Sequence, residues 1–169
     1  MNPGLLRPIN EKLEEAILFI LKNTSGANIG IKKLAKLLYF ADFNRYKKTY
    51  ESITSEEYTR MEYGPVPKNL YFTLDYLKSI DKISMTDVKY TERIIGKNIK
   101  CVKDFKPKLL SAEEQSEILN IIKKVGSLTG KQLETLSHQD TPWQVTDDSD
   151  SINYDLVFYR DEAVTKQVE

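Results

Sequence analysis

Cys101 and His138 are the residues of this sequence whose types could perform nucleophilic chemistry. The chain contains one cysteine and one histidine, and a thiol activated by a nearby imidazole is the simplest covalent catalyst that they could form. Cys101 lies in the apolar stretch 99–102, however, where the favoured interpretation is a small side chain that packs in the core. The sequence therefore allows an uncharacterised enzyme acting on a nucleotide or thioester, but it favours a protein without catalytic activity.

The composition also argues against metal and cofactor chemistry. One cysteine and one histidine cannot complete a Cys/His zinc site, an iron–sulfur cluster or a disulfide within this chain. The carboxylates form no recognisable acid–base pair, and the seven glycines are scattered singly, without a phosphate-binding loop. We therefore predict neither a metal ion nor a cofactor.

Basic side chains are the next candidates for binding. Lys32, Lys33 and Lys36 lie at the start of a predicted helix, where the helix dipole disfavours cations. They form either a solvated face or an anion-binding site. A second basic series extends over 97–108, but the pI of 6.6 and the lack of a recognition-helix motif argue against direct DNA binding.

Tyrosine is concentrated in the segment 39–76, which holds seven of the ten tyrosines. Tyrosine combines a large apolar ring with a polar hydroxyl group, so it suits both the edge of a core and a protein interface. We expect the core to take most of these rings and others to form a partner-binding surface with the lysines. The candidate partner-binding residues are Lys32, Lys33, Lys36, Tyr39, Tyr46, Tyr50, Tyr58 and Tyr63.

Hydrophobic periodicity predicts the helices that position these residues. Asn10 is the expected N-cap of the first helix, and Pro67 is expected in the first turn of the third. Capping-box patterns mark the last two helices. The predicted helices cover 10–22, 31–48, 67–79, 111–126 and 129–138.

Strand patterns are fewer than helical ones. The segment 53–63 suits a short strand or an extended loop, and 83–103 predicts a small antiparallel sheet whose strands are connected at 96–98. The segment 155–160 suits either a strand or a helical turn. We predict a single α+β domain over residues 1–169, mainly helical, with a small antiparallel β-sheet or hairpin.

The neutral total charge conceals a division of the chain. The sequence has 169 residues with 25 basic and 25 acidic side chains. Residues 1–110 hold 20 basic and 13 acidic residues, whereas 111–169 hold 5 and 12. We predict that the two parts satisfy each other, with a flexible acidic tail over 147–169 that packs near or shields the basic face of the second helix.

The sequence favours a protein of the cytoplasm. The apolar run 16–21 is far shorter than the roughly 20 residues that a membrane-spanning helix needs. The opening residues 1–4 lack the pattern of a signal peptide, and a lone thiol suits a reducing compartment. We therefore expect no contact with a membrane.

Three segments together resemble the signatures of one family. Segment 31–41 is similar to the family's KLxKLLYFA helix, 62–71 to its GPV turn followed by a tyrosine, and 136–143 to its L-[TS]-H-x-[ED]-x-P-W signature. On their order and spacing, the chain is identified as a member of the Panacea domain, the SocA-like antitoxin family. The motif-bearing core covers about 30–143, and 144–169 follow it as an acidic C-terminal segment.

The resemblance implies a small bacterial or phage protein that neutralises a cognate toxin, encoded nearby, by binding it. The alternative is a phage or regulatory adaptor that delivers a host protein to a protease or blocks a host process. The sequence shows no fused helix-turn-helix segment, so control of an operon through DNA is not implied. It departs from the family pattern in that Tyr63 adjoins Gly64 directly and in the second proline, Pro67.

The motif residues are interpreted first as structural. Gly64 and the prolines beside it are expected to hold the second and third helices together. Asp140 is expected to accept a hydrogen bond from the His138 imidazole or the Trp143 indole, and Pro142 to stop the helix. The motif residues are Gly64, Pro65, Val66, Tyr71, His138, Asp140, Pro142 and Trp143.

Overall fold

The computed structural model describes residues 8–169. The fold is mainly helical with two antiparallel two-stranded sheets, which confirms the predicted α+β class. The buried apolar side chains, from Leu13 in the first helix to Val168 in the last, form one cluster. No helix in the described part of the chain is long and apolar enough to cross a membrane.

The elements are α1 (Glu11–Asn23), α2 (Ile31–Thr49), β1 (Tyr58–Met61), β2 (Gly64–Pro67), α3 (Leu70–Ser79), β3 (Ile83–Lys89), β4 (Ile95–Cys101), α4 (Ala112–Val125), α5 (Gly130–His138), α6 (Thr141–Gln144), a 3₁₀ helix (Tyr154–Tyr159) and α7 (Glu162–Val168).

Helix α2 lies at the centre of the molecule. It contacts α1, α4, α5, β2, β4 and the 3₁₀ helix, and twelve consecutive residues, from Lys33 to Asn44, are buried. A helix that is buried around its whole circumference belongs to the core of a domain. Apolar residues around most of its circumference are typical of such a central helix.

Helices α1, α4 and α5 begin where the capping residues in the sequence predict that they begin. The Asn10 side chain accepts a hydrogen bond from the Leu13 N–H at 3.0 Å and caps α1. Ser111 and Thr129 form capping boxes with Glu114 and Gln132 at the starts of α4 and α5. These caps satisfy backbone N–H groups that the first helical turn leaves without partners.

The prediction that Pro67 begins the third helix is wrong. Residues 64–67 form strand β2, which pairs with β1 so that Tyr58 lies opposite Pro67 and Met61 opposite Gly64. Helix α3 begins only at Leu70. A proline lacks the N–H group that an inner strand must donate, so it fits an edge strand as well as it fits the first turn of a helix. We call β1, β2 and their turn the GPV hairpin.

The second sheet was predicted over the correct segment but with the wrong turn. Strands β3 and β4 pair from Ile83 opposite Cys101 to Lys89 opposite Ile95, so the turn covers 90–94. Gly96 lies inside β4, where the Tyr90 ring fills the space that a Cβ atom would occupy. Glycine in this strand thus allows close side-chain packing instead of a turn.

The C-terminal acidic segment is folded, which contradicts the predicted flexible tail. The 3₁₀ helix and α7 bury Val157, Val164 and Val168 against the core. The expected compensation between the two parts of the chain is confirmed, because Lys32 pairs with Glu134 at 2.5 Å and Lys47 with Glu169 at 2.9 Å. Lys48 likewise pairs with Glu117 at 2.7 Å, and Arg60 forms an ion pair with Asp148.

Candidate partner-binding site

The GPV hairpin packs against α2 and α5 through Gly64. The backbone of Gly64 has φ +99°, a conformation that favours glycine. A Cβ atom built there would lie 2.4 Å from Lys36 Cε and 2.5 Å from Ser137 Oγ. Gly64 is therefore required both by its backbone conformation and by the close approach of α2 and α5, whereas the prediction was that it joins the second and third helices.

The buried Lys36 side chain connects α2 to the hairpin by a hydrogen bond. Its side chain is almost fully buried, with 1% of the residue exposed, and Nζ donates a hydrogen bond to the Pro65 carbonyl at 3.0 Å. The pKa of Lys36 is lowered to about 7, mainly by burial and also by the charge of Lys32, while the charge of Glu134 opposes both effects. Lys36 is thus a buried anchor rather than part of an exposed basic face.

Trp143 ties the other side of the hairpin to α5 and α6. Its ring stacks on His138 with centroids 4.1 Å apart, and its Nε1 donates to the Met61 carbonyl at 3.1 Å. The Arg60 guanidinium lies 4.0 Å from the indole centroid, and Arg60 Nε donates to the Trp143 carbonyl at 3.0 Å. The motif residues His138 and Trp143 therefore act together with the hairpin, as a structural latch.

The His138 side chain of this latch is half-buried. Burial lowers its pKa, the charge of Glu134 opposes this, and the charge of Lys36 lowers it again. Its Nε2 atom is buried and has no hydrogen-bond partner among residues 8–169. The imidazole is held by its stacking on Trp143 and by a backbone hydrogen bond at Glu62.

Asp140 does not pair with the imidazole or the indole as predicted. It is fully buried and accepts hydrogen bonds from Arg160 Nε and Nη2, both at 2.9 Å, and from the Tyr39 hydroxyl at 2.8 Å. Arg160 also donates to Asn44 Oδ1 at 2.6 Å. Pro142 does not stop a helix but lies inside the short α6, since α5 has already ended at His138.

Four of the predicted partner-binding residues belong to the interior. The hydroxyls of Tyr39 and Tyr58 donate to the buried carboxylates of Asp140 and Asp42, at 2.8 and 2.6 Å. Lys33 donates to the Gly126 carbonyl at 2.6 Å, and Lys36 is the anchor of the hairpin. Because all four side chains are buried, they do not contribute to an exposed surface.

Lys32, Tyr50 and Tyr63 are exposed, and Tyr46 is half-buried. Tyr63 lies in the turn of the GPV hairpin with 56% of the residue exposed, and the Lys32 ammonium lies 4.8 Å from its ring centroid. Met61 is exposed beside it. We call Lys32, Met61, Tyr63 and the half-buried Trp143 the hairpin patch.

Met61, Arg60 and Arg160 were missed by the sequence reasoning. Met61 and Arg60 precede a turn whose strand pairing was not predicted. Arg160 offered a signal, since it is the only basic residue between Asp147 and Glu162, in a stretch rich in acidic residues. A charged side chain is almost never fully buried unless it is paired, so burial of this cation requires a partner such as a carboxylate.

The remaining motif residues divide between core and surface. Pro65 and Pro142 are buried and Val66 is half-buried, which agrees with structural roles. Tyr71 is exposed, so its side chain does not hold α2 and α3 together as predicted. Its aromatic ring is available to solvent on the first turn of α3.

Cys101 and His138 are the two candidates for nucleophilic chemistry, and their contacts can be compared. Cys101 is half-buried and its Sγ donates to the Lys103 carbonyl at 3.1 Å. No hydrogen bond joins Cys101 to His138 within residues 8–169. The same part of the chain contains no group of three or more His, Cys, Asp or Glu side chains placed to hold a metal ion.

A family model described as "Antitoxin SocA-like, Panacea domain" matches residues 34–144. This range includes the GPV hairpin, Lys36, His138, Asp140 and Trp143. A search of curated proteins and a search of solved structures gave no significant match.

Proposed function

Because the chain belongs to the SocA-like Panacea antitoxin family, we propose that it neutralises a cognate protein toxin by binding it directly through the hairpin patch. The observation that carries this proposal is the exposed pair Met61 and Tyr63 on a hairpin that the family-motif residues hold rigid. In this interpretation the motif residues build the platform, and the exposed side chains upon it contact the toxin.

The side-chain types of the hairpin patch suit a protein partner. Tyrosine, tryptophan and methionine are enriched at the centres of protein interfaces, where they supply large apolar areas. The Lys32 ammonium, which lies above the Tyr63 ring and pairs with Glu134, places charged groups at the rim. A patch with an aromatic centre and a charged rim is the usual arrangement of an interface with a few dominant contacts.

The rigidity of the hairpin supports the same function. The hairpin is held by close packing at Gly64. Hydrogen bonds from Lys36 to the Pro65 carbonyl and from Trp143 to the Met61 carbonyl hold it further. A surface that is already ordered loses little conformational entropy when a partner binds. Its affinity then depends mainly on the contacts that the exposed side chains make.

The proposal is tested by co-expression with the product of a neighbouring gene in bacterial cells. We expect the neighbour alone to arrest growth, this protein to restore growth, and the two proteins to co-purify. Tyr63→Ala and Met61→Ala should each weaken binding by about tenfold or more, whereas Tyr90→Ala, an exposed tyrosine of the other hairpin, should not. A harmless neighbour that does not bind, or equal binding by all the variants, would reject the proposal.

A phage or regulatory adaptor that targets a host protein is the alternative function. A flexible acidic tail could pass a host protein to a protease, but residues 154–168 fold into helices that pack on the core. The half-life of the bound partner separates the two functions. Sequestration leaves this half-life unchanged or longer, whereas an adaptor to a protease shortens it.

We place this activity in the cytoplasm and without a catalytic step. The lone cysteine suits a reducing compartment. Its thiol donates to a nearby backbone carbonyl instead of contacting a base. Binding alone is sufficient for neutralisation, since a toxin held at its working surface cannot reach its target.

A further inference from the structure

The C-terminal end of α2 carries a second exposed aromatic cluster. Tyr46, Tyr50 and Phe158 form it, with ring centroids 5.2 Å apart for Tyr50 and Phe158 and 6.1 Å apart for Tyr46 and Tyr50. Tyr50 is 69% exposed and Phe158 is 40% exposed. Tyr46 in turn contacts Tyr154, 5.1 Å away, which stacks on the buried Phe43. We call Tyr46, Tyr50 and Phe158 the aromatic shelf.

Tyr50 has a backbone conformation that its side chain does not favour. Its φ is +60°, and its N–H donates to the Tyr46 carbonyl at 2.7 Å as the C-cap of α2. Helices that end in this left-handed conformation usually have glycine there, because a bulky residue is strained. Strained residues persist where the surrounding structure fixes them, and they cluster at functional sites. The ring of Tyr50 lies in solvent beside Phe158.

An exposed carboxylate borders the aromatic shelf. The Asp155 carboxylate accepts a hydrogen bond from the Tyr46 hydroxyl at 2.6 Å. Among residues 8–169 Asp155 forms no ion pair, whereas Asp148 pairs with Arg60 of the GPV hairpin and Glu162 with Lys166. The charge of Asp155 is therefore available beside the exposed rings.

The cations nearest in sequence are largely neutralised by their own partners. Lys47 pairs with Glu169 at 2.9 Å and Lys48 with Glu117 at 2.7 Å. Arg45 is the third cation of the last two turns of α2, and it is half-buried. With Lys47 and Lys48 paired, the Asp155 carboxylate at the shelf is available to attract a positively charged ligand.

From these observations we propose that the aromatic shelf binds a Lys- or Arg-rich segment of a protein partner. Guanidinium and ammonium groups bind both to aromatic faces and to carboxylates, and the shelf presents the two together. Lys32 and Tyr50 mark opposite ends of α2, about 27 Å apart at 1.5 Å per residue. The aromatic shelf is therefore separate from the hairpin patch and does not rest on the function proposed for that patch.

Fluorescence anisotropy with the full chain tests this surface directly. The probe is a fluorescein-labelled peptide of repeated Arg-Gly-Gly units, compared with the matched Glu-Gly-Gly peptide. We expect the arginine peptide to bind and the glutamate peptide not to bind. Tyr50→Gly and Phe158→Ala should each weaken binding by about fivefold or more, and the Tyr90→Ala control should bind as the wild type does.

The Tyr50→Gly variant separates binding from stability. Glycine relieves the backbone strain at φ +60°, so the melting temperature should not fall although binding is lost. If either aromatic variant lowers the melting temperature, the affinity of Asp155→Asn for the arginine peptide becomes the deciding measurement. This substitution removes a charge and leaves the ring contacts in place. Retained affinity in Asp155→Asn, unchanged affinity in both aromatic variants, or no binding of the arginine peptide at about 1 mM would overturn the proposal.

Discussion

Asp140 and Arg160 form a bidentate ion pair in the interior, in which the distances from Nε to Oδ1 and from Nη2 to Oδ2 are both 2.9 Å. Both side chains are fully buried. Asp140 belongs to the family motif and Arg160 to the acidic C-terminal segment, so this pair joins the motif-bearing core to the segment that follows it. The Tyr39 hydroxyl and Asn44 satisfy further hydrogen-bonding positions of the pair, which is what makes buried charges tolerable.

Replacement of Arg160 should strongly destabilise the protein. Arg160→Met leaves the Asp140 carboxylate buried without its cation, so we expect the free energy of unfolding to fall by about 3–5 kcal/mol in urea denaturation. The matched control is Lys166→Met, which breaks an ion pair with Glu162 at 2.8 Å between side chains that are 72% and 80% exposed. This control should change stability by less than about 0.5 kcal/mol. Equal effects of the two substitutions would contradict the assignment of the buried pair.

Lys36 should give the protein a measurable stability gain between neutral and alkaline pH. Its pKa is about 7 in the folded chain and 10.5 ordinarily. Between these values the unfolded chain binds more protons at this site, so raising the pH stabilises the fold. From pH 7 to pH 9, the wild type should gain about 2 kcal/mol relative to Lys36→Met in urea unfolding. Parallel pH profiles for the two proteins would show that Lys36 keeps an ordinary pKa.

Gly64→Ala should destabilise the GPV hairpin more than a positive φ alone explains. Gly26 provides the comparison, since its φ is +98° but no atom lies within 4 Å of a Cβ placed there. Gly26→Ala should cost about 1 kcal/mol from backbone strain alone, and Gly64→Ala at least about 1 kcal/mol more because it crowds Lys36 and Ser137. Thermal unfolding of both variants measures the difference. Similar losses would mean that the hairpin can move away from the two helices without cost.

Removal of the thiol should leave neutralisation intact. Cys101→Ala deletes a half-buried side chain that donates only to the Lys103 carbonyl. We expect the dose of protein that rescues growth to stay within about twofold of the wild type, given that packing changes of this size are mild. The amount of folded protein in the cells must be measured alongside. A normally folded variant that fails to rescue would point to thiol chemistry.

Features with a local cause could be predicted from the sequence. The Ser111 and Glu114 capping box depends on residues three apart, and it marked the start of α4 correctly. Pro67 was misassigned because a missing N–H suits both a helix start and an edge strand. The choice between them depends on β1, which pairs with β2 only after the chain has turned at residues 62–63.

The interior polar contacts could not be predicted, because their partners are distant in sequence. Tyr39 and Asp140 are 101 residues apart, and Arg160 and Asn44 are 116 apart. A tyrosine at the edge of a helix looks the same in sequence whether a carboxylate covers it or solvent does. The predicted partner surface therefore included Tyr39 and Tyr58, whereas the exposed Met61 was overlooked.

The central position of α2 also sets a time scale for the synthesis of the protein. Asn44 donates to the Val168 carbonyl, 124 residues later in the chain. At roughly 5–20 residues per second, the ribosome needs about 6–25 s to make that partner after Asn44 has been added. Throughout this interval the apolar faces of α2 lack their final covering. The newly made chain therefore offers chaperones and proteases a long opportunity before its core can close.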